Sequence, residues 1–92
     1  MPVEVRLPTL LRPAAGGRTV VDSKGETIGD VLADLQNSYP QMAGQVLTPE
    51  GELHRFVNVY VNDDDVRYLD KLQTKVAEGD VVSILPAVAG GA

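Results

Sequence analysis

The chain contains no cysteine and no tryptophan, a single histidine and a single phenylalanine. Without a thiol it carries no disulfide, no thiolate metal site and no cysteine nucleophile of its own. His54 is its one imidazole, beside Glu52 and Arg55, so no acid–base set is at hand from which to assemble a hydrolytic triad. It reads as a loop histidine ahead of a strand. No run of 18 apolar residues is present, and no membrane-spanning helix is expected. The opening residues Met1-Pro2-Val3-Glu4-Val5-Arg6 lack the basic region and apolar stretch of a secretory signal, which makes the cytoplasm the expected location. Basic side chains are scarce: eight against thirteen acidic ones, for a net charge of −5 and a pI near 4.6. A surface of that sign suits neither a phosphate backbone nor an anionic bilayer, so neither nucleic acid nor membrane is an expected partner. It suits solubility and a positively charged protein partner.

What is present fits one small domain. At 92 residues, folding buries roughly 60–65% of the unfolded surface, enough for one modest core. Apolar residues make up 43% and charged residues 23%, a balance that argues against disorder. Residues 3–7 alternate apolar and charged side chains, the period of a half-buried strand. Pro8, Pro13 and the Gly16–Gly17 pair mark residues 8–17 as turn or loop. Residues 18–22 are short and β-branched and predict a second strand antiparallel to the first. A turn follows, and Thr27 stands as a helix N-cap with Asp30 three residues on. Ile28, Val31, Leu32, Leu35 and Tyr39 form one helical stripe, predicting a helix packed on a sheet and stopped near Ser38 or Tyr39 by Pro40.

The second half is more strand-rich. A short helix over residues 41–46 and a turn at 48–51 lead to residues 55–61, which alternate again. Val57, Val59 and Val61 fall on one face, Phe56, Asn58 and Tyr60 on the other. After a turn at 62–65 come a short strand at 66–68, a turn at 78–80 and a last strand at 81–85, closed by Pro86. This order predicts an α+β fold, a mixed sheet with one main helix on one face. If the first and last strands pair in parallel, as in a β-grasp, the helix supplies the crossover that such pairing needs. The folded domain is expected to cover residues 1–86, with 87–92 a flexible tail.

Most chain ends are polar and carry no function. Here the tail is Ala87-Val88-Ala89-Gly90-Gly91-Ala92, small and apolar, and it follows directly from a strand. A Gly-Gly end presents backbone only, so it can enter a narrow active site that approaches it closely. Other candidates are weaker. The run Asp63-Asp64-Asp65 lacks the spacing of a calcium loop, since Tyr68 stands where the sixth-position Gly would be. Gly16-Gly17 has no Lys or Ser/Thr of a phosphate loop behind it.

Three segments carry a resemblance to a known family: residues 7–13 (LPTLLRP), 53–63 (LHRFVNVYVND) and 78–91 (EGDVVSILPAVAGG). Along almost its whole length the chain resembles the ubiquitin-like sulfur carriers, the group of the thiamin and molybdopterin carriers, and within it the actinobacterial carriers of cysteine biosynthesis. The resemblance implies a β-grasp fold and a protein co-substrate in place of an enzyme. It implies that a ubiquitin-activating-type adenylyltransferase and sulfurtransferase uses ATP to adenylate the carboxylate of Gly91, with Gly90 as the spacer that lets it enter. Sulfur then replaces AMP as a thiocarboxylate. The implied consumer is a sulfur-accepting synthase, either cysteine synthase-like with pyridoxal phosphate or thiosugar synthase-like in secondary metabolism, and a zinc metallopeptidase of the JAMM type then releases the product. No cofactor bound to the carrier itself is implied. One departure stands out: with Ala92 in place the Gly91 carbonyl is an amide and cannot be adenylated, so Ala92 is expected to be processed off first. A ubiquitin-like conjugation tag or binding module is the alternative reading, in which the same glycine forms an isopeptide with lysines. The possible partner surface is Phe56, Tyr60, Leu85 and Val88. Core packing is the plainer expectation for Phe56, Tyr60 and Leu85, and exposure would make them an interaction surface.

Overall fold

A computed structural model describes residues 2–55 and 57–86. Strand β1 (Val3–Arg6) opens the sheet, and β2 (Val20–Ser23) pairs antiparallel to it, Val5 opposite Val21. Helix α1 (Ile28–Ser38) crosses the sheet, followed by β3 (Val57–Val61), β4 (Asp64–Asp65) and β5 (Val81–Pro86). The strand order is β2-β1-β5-β3-β4. Strand β5 therefore sits in the middle, parallel to β1 (Val5 opposite Val82) and antiparallel to β3 (Val59 opposite Ile84). This is the expected mixed sheet, and α1 lies within the crossover that its parallel pair requires.

One face of the sheet is dry. Val3 and Val5 of β1, Val21 of β2, Val57, Val59 and Val61 of β3, and Val82 and Ile84 of β5 are all buried. They meet the apolar stripe of α1, where Ile28, Val31, Leu32 and Leu35 are fully buried. Tyr39 is half-buried and packs against this core at the helix C-cap. Thr27 caps the helix as expected, its Oγ1 accepting from the Asp30 amide at 3.2 Å. The buried Ser23 hydroxyl sits 2.9 Å from Asp34 Oδ2 and 2.8 Å from the Val31 carbonyl, clipping the end of β2 to the helix. The turn between them is close-packed. A Cβ on Gly25 would lie 2.7 Å from Asp30 Cβ and 2.7 Å from the Val31 nitrogen, so only glycine fits.

Four local expectations change, the first being the short helix over 41–46, which is a 3-10 turn at Pro40–Met42. Residues 9–15, read as turn or loop, form a 3-10 helix (Thr9–Ala15) that buries Leu11 and Ala15 under the core. The second strand begins at Val20, two residues later than predicted, because the Gly16–Gly17 turn extends through Arg18. The short strand is Asp64–Asp65, and Val66–Tyr68 is a 3-10 turn. The cause is Asn62, which adopts φ of 57° and lets the chain reverse within two residues, so Asp64 comes back opposite Val61. Asp65 then caps the following turn, accepting from the Arg67 amide at 2.8 Å.

Candidate functional site

The Gly90–Gly91 pair, Ala92, Val88 and Phe56 lie outside the described residues, as does the whole segment 87–92 expected to form the tail. What the structure does place is the root from which that segment leaves. Strand β5 is hydrogen-bonded on both sides, and its last registered pair is Val57 opposite Pro86. Proline cannot donate to a ladder, and it ends the strand there. The tail thus departs from an interior strand whose last residues are paired with β3, while pairing with β1 ends at Ser83.

Leu85 and Tyr60 do not behave alike, and neither is a core residue. Side chains alternate along a strand. With Val82 and Ile84 turned to the helix, Leu85 must face the other way, and it is 47% exposed. Tyr60 lies on that same uncovered face, half-buried, opposite Ser83 and Asp65. Asn58 is opposite Leu85, and its Oδ1 is buried without a hydrogen-bond partner among the described residues. The expectation of core packing is therefore overturned for Leu85. Parity decides this: among the described residues no element covers Leu85 on the second face of the sheet.

Two open grooves flank the tail root. On the β1 side, Pro8, Leu10, Leu85 and Pro86 form an apolar trough with Arg6 and Arg12 at its rim. Leu10 is 57% exposed, because in the 3-10 turn the adjacent Leu11 takes the buried position. Arg12 is held in place by its Nε, which donates to the Leu7 carbonyl at 3.3 Å, and no carboxylate among the described residues pairs with it. Arg6 donates to Glu4 at 3.0 Å, an exposed pair of little strength. On the β3 side a second groove is lined by Leu53, Leu72, Arg55, Arg67 and Lys71, with Glu52 and Asp70. It belongs to the same end of the molecule, since Arg67 Nη2 donates to the Val57 carbonyl at 3.3 Å and Val57 is opposite Pro86. Lys71 holds a positive φ of 54°, uncommon for a residue with a Cβ.

Sequence reasoning found the tail and Leu85 but missed Leu10 and all five of these cations. They come from four separate segments, and only strand register brings them together. The doublet Leu10–Leu11 behind Pro8 was the one available signal, because a turn of this length cannot bury both. His54 is half-buried, its amide donating to the Val46 carbonyl at 2.8 Å. No three His, Cys, Asp or Glu side chains among the described residues are grouped as metal ligands. Among these residues no helix is long and apolar enough to cross a membrane.

Comparison with known proteins agrees with this geometry. The ThiS family model matches residues 5–91, a span that reaches the second glycine of the tail. Sulfur carrier protein CysO of Mycobacterium tuberculosis (strain H37Rv) is 50% identical over 99% of this chain and 100% of its own length. Small archaeal modifier protein 3 of Haloferax volcanii is 37% identical, over 99% of this chain and 100% of that protein. A chain of the Amycolatopsis orientalis BexX/CysO complex superposes with a TM-score of 0.87 at 44% identity, covering 97% of this chain and 99% of that one. The chain belongs to the ThiS family, small carrier proteins of the ubiquitin-like β-grasp fold rather than enzymes.

Proposed function

We propose that this protein carries sulfur on the carboxyl group of Gly91. The observation that supports this most strongly is 50% identity to a sulfur carrier over the full length of both chains, with the family match running to Gly91. The chemistry asks little of the carrier and much of its partner. A free Gly91 carboxylate attacks the α-phosphorus of ATP, and pyrophosphate leaves. Sulfide then attacks the acyl adenylate, and AMP leaves with the bonding pair. The product is a thiocarboxylate, and a sulfur-accepting synthase uses it as a nucleophile. The carrier binds no cofactor in this scheme; ATP belongs to a ubiquitin-activating-type adenylyltransferase. Whatever follows Gly91 must be cut away first, Ala92 included, and a JAMM-type metallopeptidase suits that cleavage. The solved complex of a related carrier with BexX favours a partner of the sulfur-accepting kind.

Two glycines suit this role physically. They place no Cβ between the reacting carbonyl and the walls of the partner's channel. The test is direct: the chain ending at Gly91, an activating enzyme of this type, ATP and sulfide should give the mass gain of one sulfur-for-oxygen exchange. No gain, with an enzyme that loads a related carrier, sinks the reading. A second reading rests on the small archaeal modifier protein among the relatives. There the same adenylate is captured by a lysine amine, and a Gly91-dependent ladder of conjugates in cells would be the result.

A further inference from the structure

The net charge of −5 misdescribes the end of the molecule that matters. Register divides the charges along the sheet. At the end where β5 begins lie Asp22, Asp63, Asp64, Glu78 and Asp80, with Lys24 just past the end of β2. Asp80 is tied to that end directly, its Oδ1 accepting from Asn62 at 3.4 Å and its Oδ2 from the Ala77 amide at 2.9 Å. Toward the opposite end, where the tail leaves, the two grooves collect Arg6, Arg12, Arg55, Arg67 and Lys71 against Glu52 and Asp70, with Glu4 paired to Arg6 at 3.0 Å. Five of the chain's eight basic residues thus line these grooves, and Arg6 and Arg12 share theirs with Pro86. The six residues of β5 separate the two ends by roughly 20 Å at about 3.3 Å per residue. That exceeds the Debye length of about 8 Å at physiological ionic strength, so each end acts through its own charge and not through the total.

The same end carries the exposed apolar surface. Leu10 and Leu85 form the floor of the β1-side groove, and the exposed Val20 stands opposite Arg6 in the next strand. Apolar anchors ringed by cations make a docking surface with a stated preference. From Pro86 to Gly91 the chain spans at most about 18 Å, so a protein holding Gly91 in its active site also reaches this surface.

Deepening the sulfur-carrier reading, we propose that the end of the fold around the tail root docks an acidic surface bearing bulky apolar side chains on the activating enzyme. Acidic side chains there meet Arg6 and Arg12, and an apolar one enters between Leu10 and Leu85. The acidic far end of the carrier repels the same surface, so the carrier arrives tail first. This reverses the expectation, drawn from net charge alone, of a positively charged partner.

Two measurements test it. In the first, the carrier is titrated with the peptide acetyl-Glu-Glu-Leu-Phe-Glu-Glu-amide and followed by amide chemical shifts. Saturable shifts are expected at Arg6, Leu10, Arg12 and Leu85. They should vanish in Arg12→Glu and in Leu10→Ser and persist in Lys24→Glu at the far end. Absent shifts, or equal shifts with the peptide carrying Lys in place of Glu, overturn the proposal. The second reads the activating enzyme with the chain ending at Gly91: Arg12→Glu and Arg6→Ser in that chain are each expected to raise the KM for carrier severalfold with kcat retained, and added salt should raise the KM of the chain without either substitution. An unchanged KM in both variants, with sulfur loading intact, overturns the docking surface and leaves the carrier reading standing. Failure of sulfur loading in the chain ending at Gly91, with no other change, does the reverse, since the peptide titration does not depend on it.

Discussion

Replacing Gly25 with alanine isolates a single packing constraint between β2 and α1. The new Cβ would stand 2.7 Å from the Val31 nitrogen and 2.9 Å from the Asp30 carbonyl carbon. Those are backbone atoms of the first helical turn, so a side-chain rotation cannot relieve the clash, and the helix must move. Its stripe of Ile28, Val31, Leu32 and Leu35 is fully buried against the sheet, so movement there disturbs the core itself. Overpacking of this kind costs about 1–3 kcal/mol. The backbone adds to it, since φ at Gly25 is 158°, which alanine rarely adopts. The control is Gly16→Ala, where φ is 68° but an added Cβ meets nothing within 4 Å. That change bears only the left-handed backbone cost of about 1–2 kcal/mol. Urea unfolding followed by far-ultraviolet circular dichroism should therefore rank Gly25→Ala below Gly16→Ala. For a domain of this size each kcal/mol moves Tm by roughly 4–8 °C. Equal midpoints for the two variants, or a Gly25→Ala midpoint at the wild-type value, would refute the steric argument.

Four other outcomes follow from the same structure. Leu32→Ala, at the centre of the buried stripe, should cost about 2–5 kcal/mol by equilibrium denaturation. Thr27→Ala removes the acceptor for the Asp30 amide and should cost about 0.5–2 kcal/mol, with Thr27→Ser recovering most of it. Asp34 accepts from the Lys24 amide and the Ser23 hydroxyl, and these bonds hold its carboxyl below the usual value of 3.8. A depressed folded-state pKa means a contribution fully present above 3.8 and lost as pH falls below it. Thermal melts should therefore show the stability gap between wild type and Asp34→Asn narrowing from pH 5 to pH 2, and a constant gap would count against it. Deleting Gly91 and all that follows it should abolish sulfur loading while leaving Tm unchanged, because the last buried core residue among those described is Ile84.

The electrostatic reading changes how the composition is used. Thirteen acids against eight bases is a fact about the chain as a whole. Sheet register groups Arg6 and Arg12 beside the tail root and Asp63, Asp64 and Asp80 near the start of β5, so a partner approaching the tail meets the minority sign. A sum over the sequence carries no information about that sorting.

Much of the fold followed from local pattern. Thr27 with Asp30, the stripe from Ile28 to Leu35 and the stop before Pro40 defined α1 in sequence, because capping and helical periodicity are properties of neighbours within a few residues. Alternation at Val57, Val59 and Val61 likewise set which face of β3 is dry. The Gly90–Gly91 pair marked the proposed site in sequence, since the chemistry proposed for it depends on residue type and not on surroundings. Tertiary structure decided the rest. It turned Leu85 outward by the parity of β5 and, among the described residues, the lack of cover over it on the second face of the sheet. It split Leu10 from Leu11, since a single 3-10 turn can bury only one of them. Above all it gathered Arg6, Arg12, Arg55, Arg67 and Lys71 into two grooves, from positions up to 65 residues apart. Strand order and register create that proximity, and they arise only when the whole sheet closes its hydrophobic face against the helix.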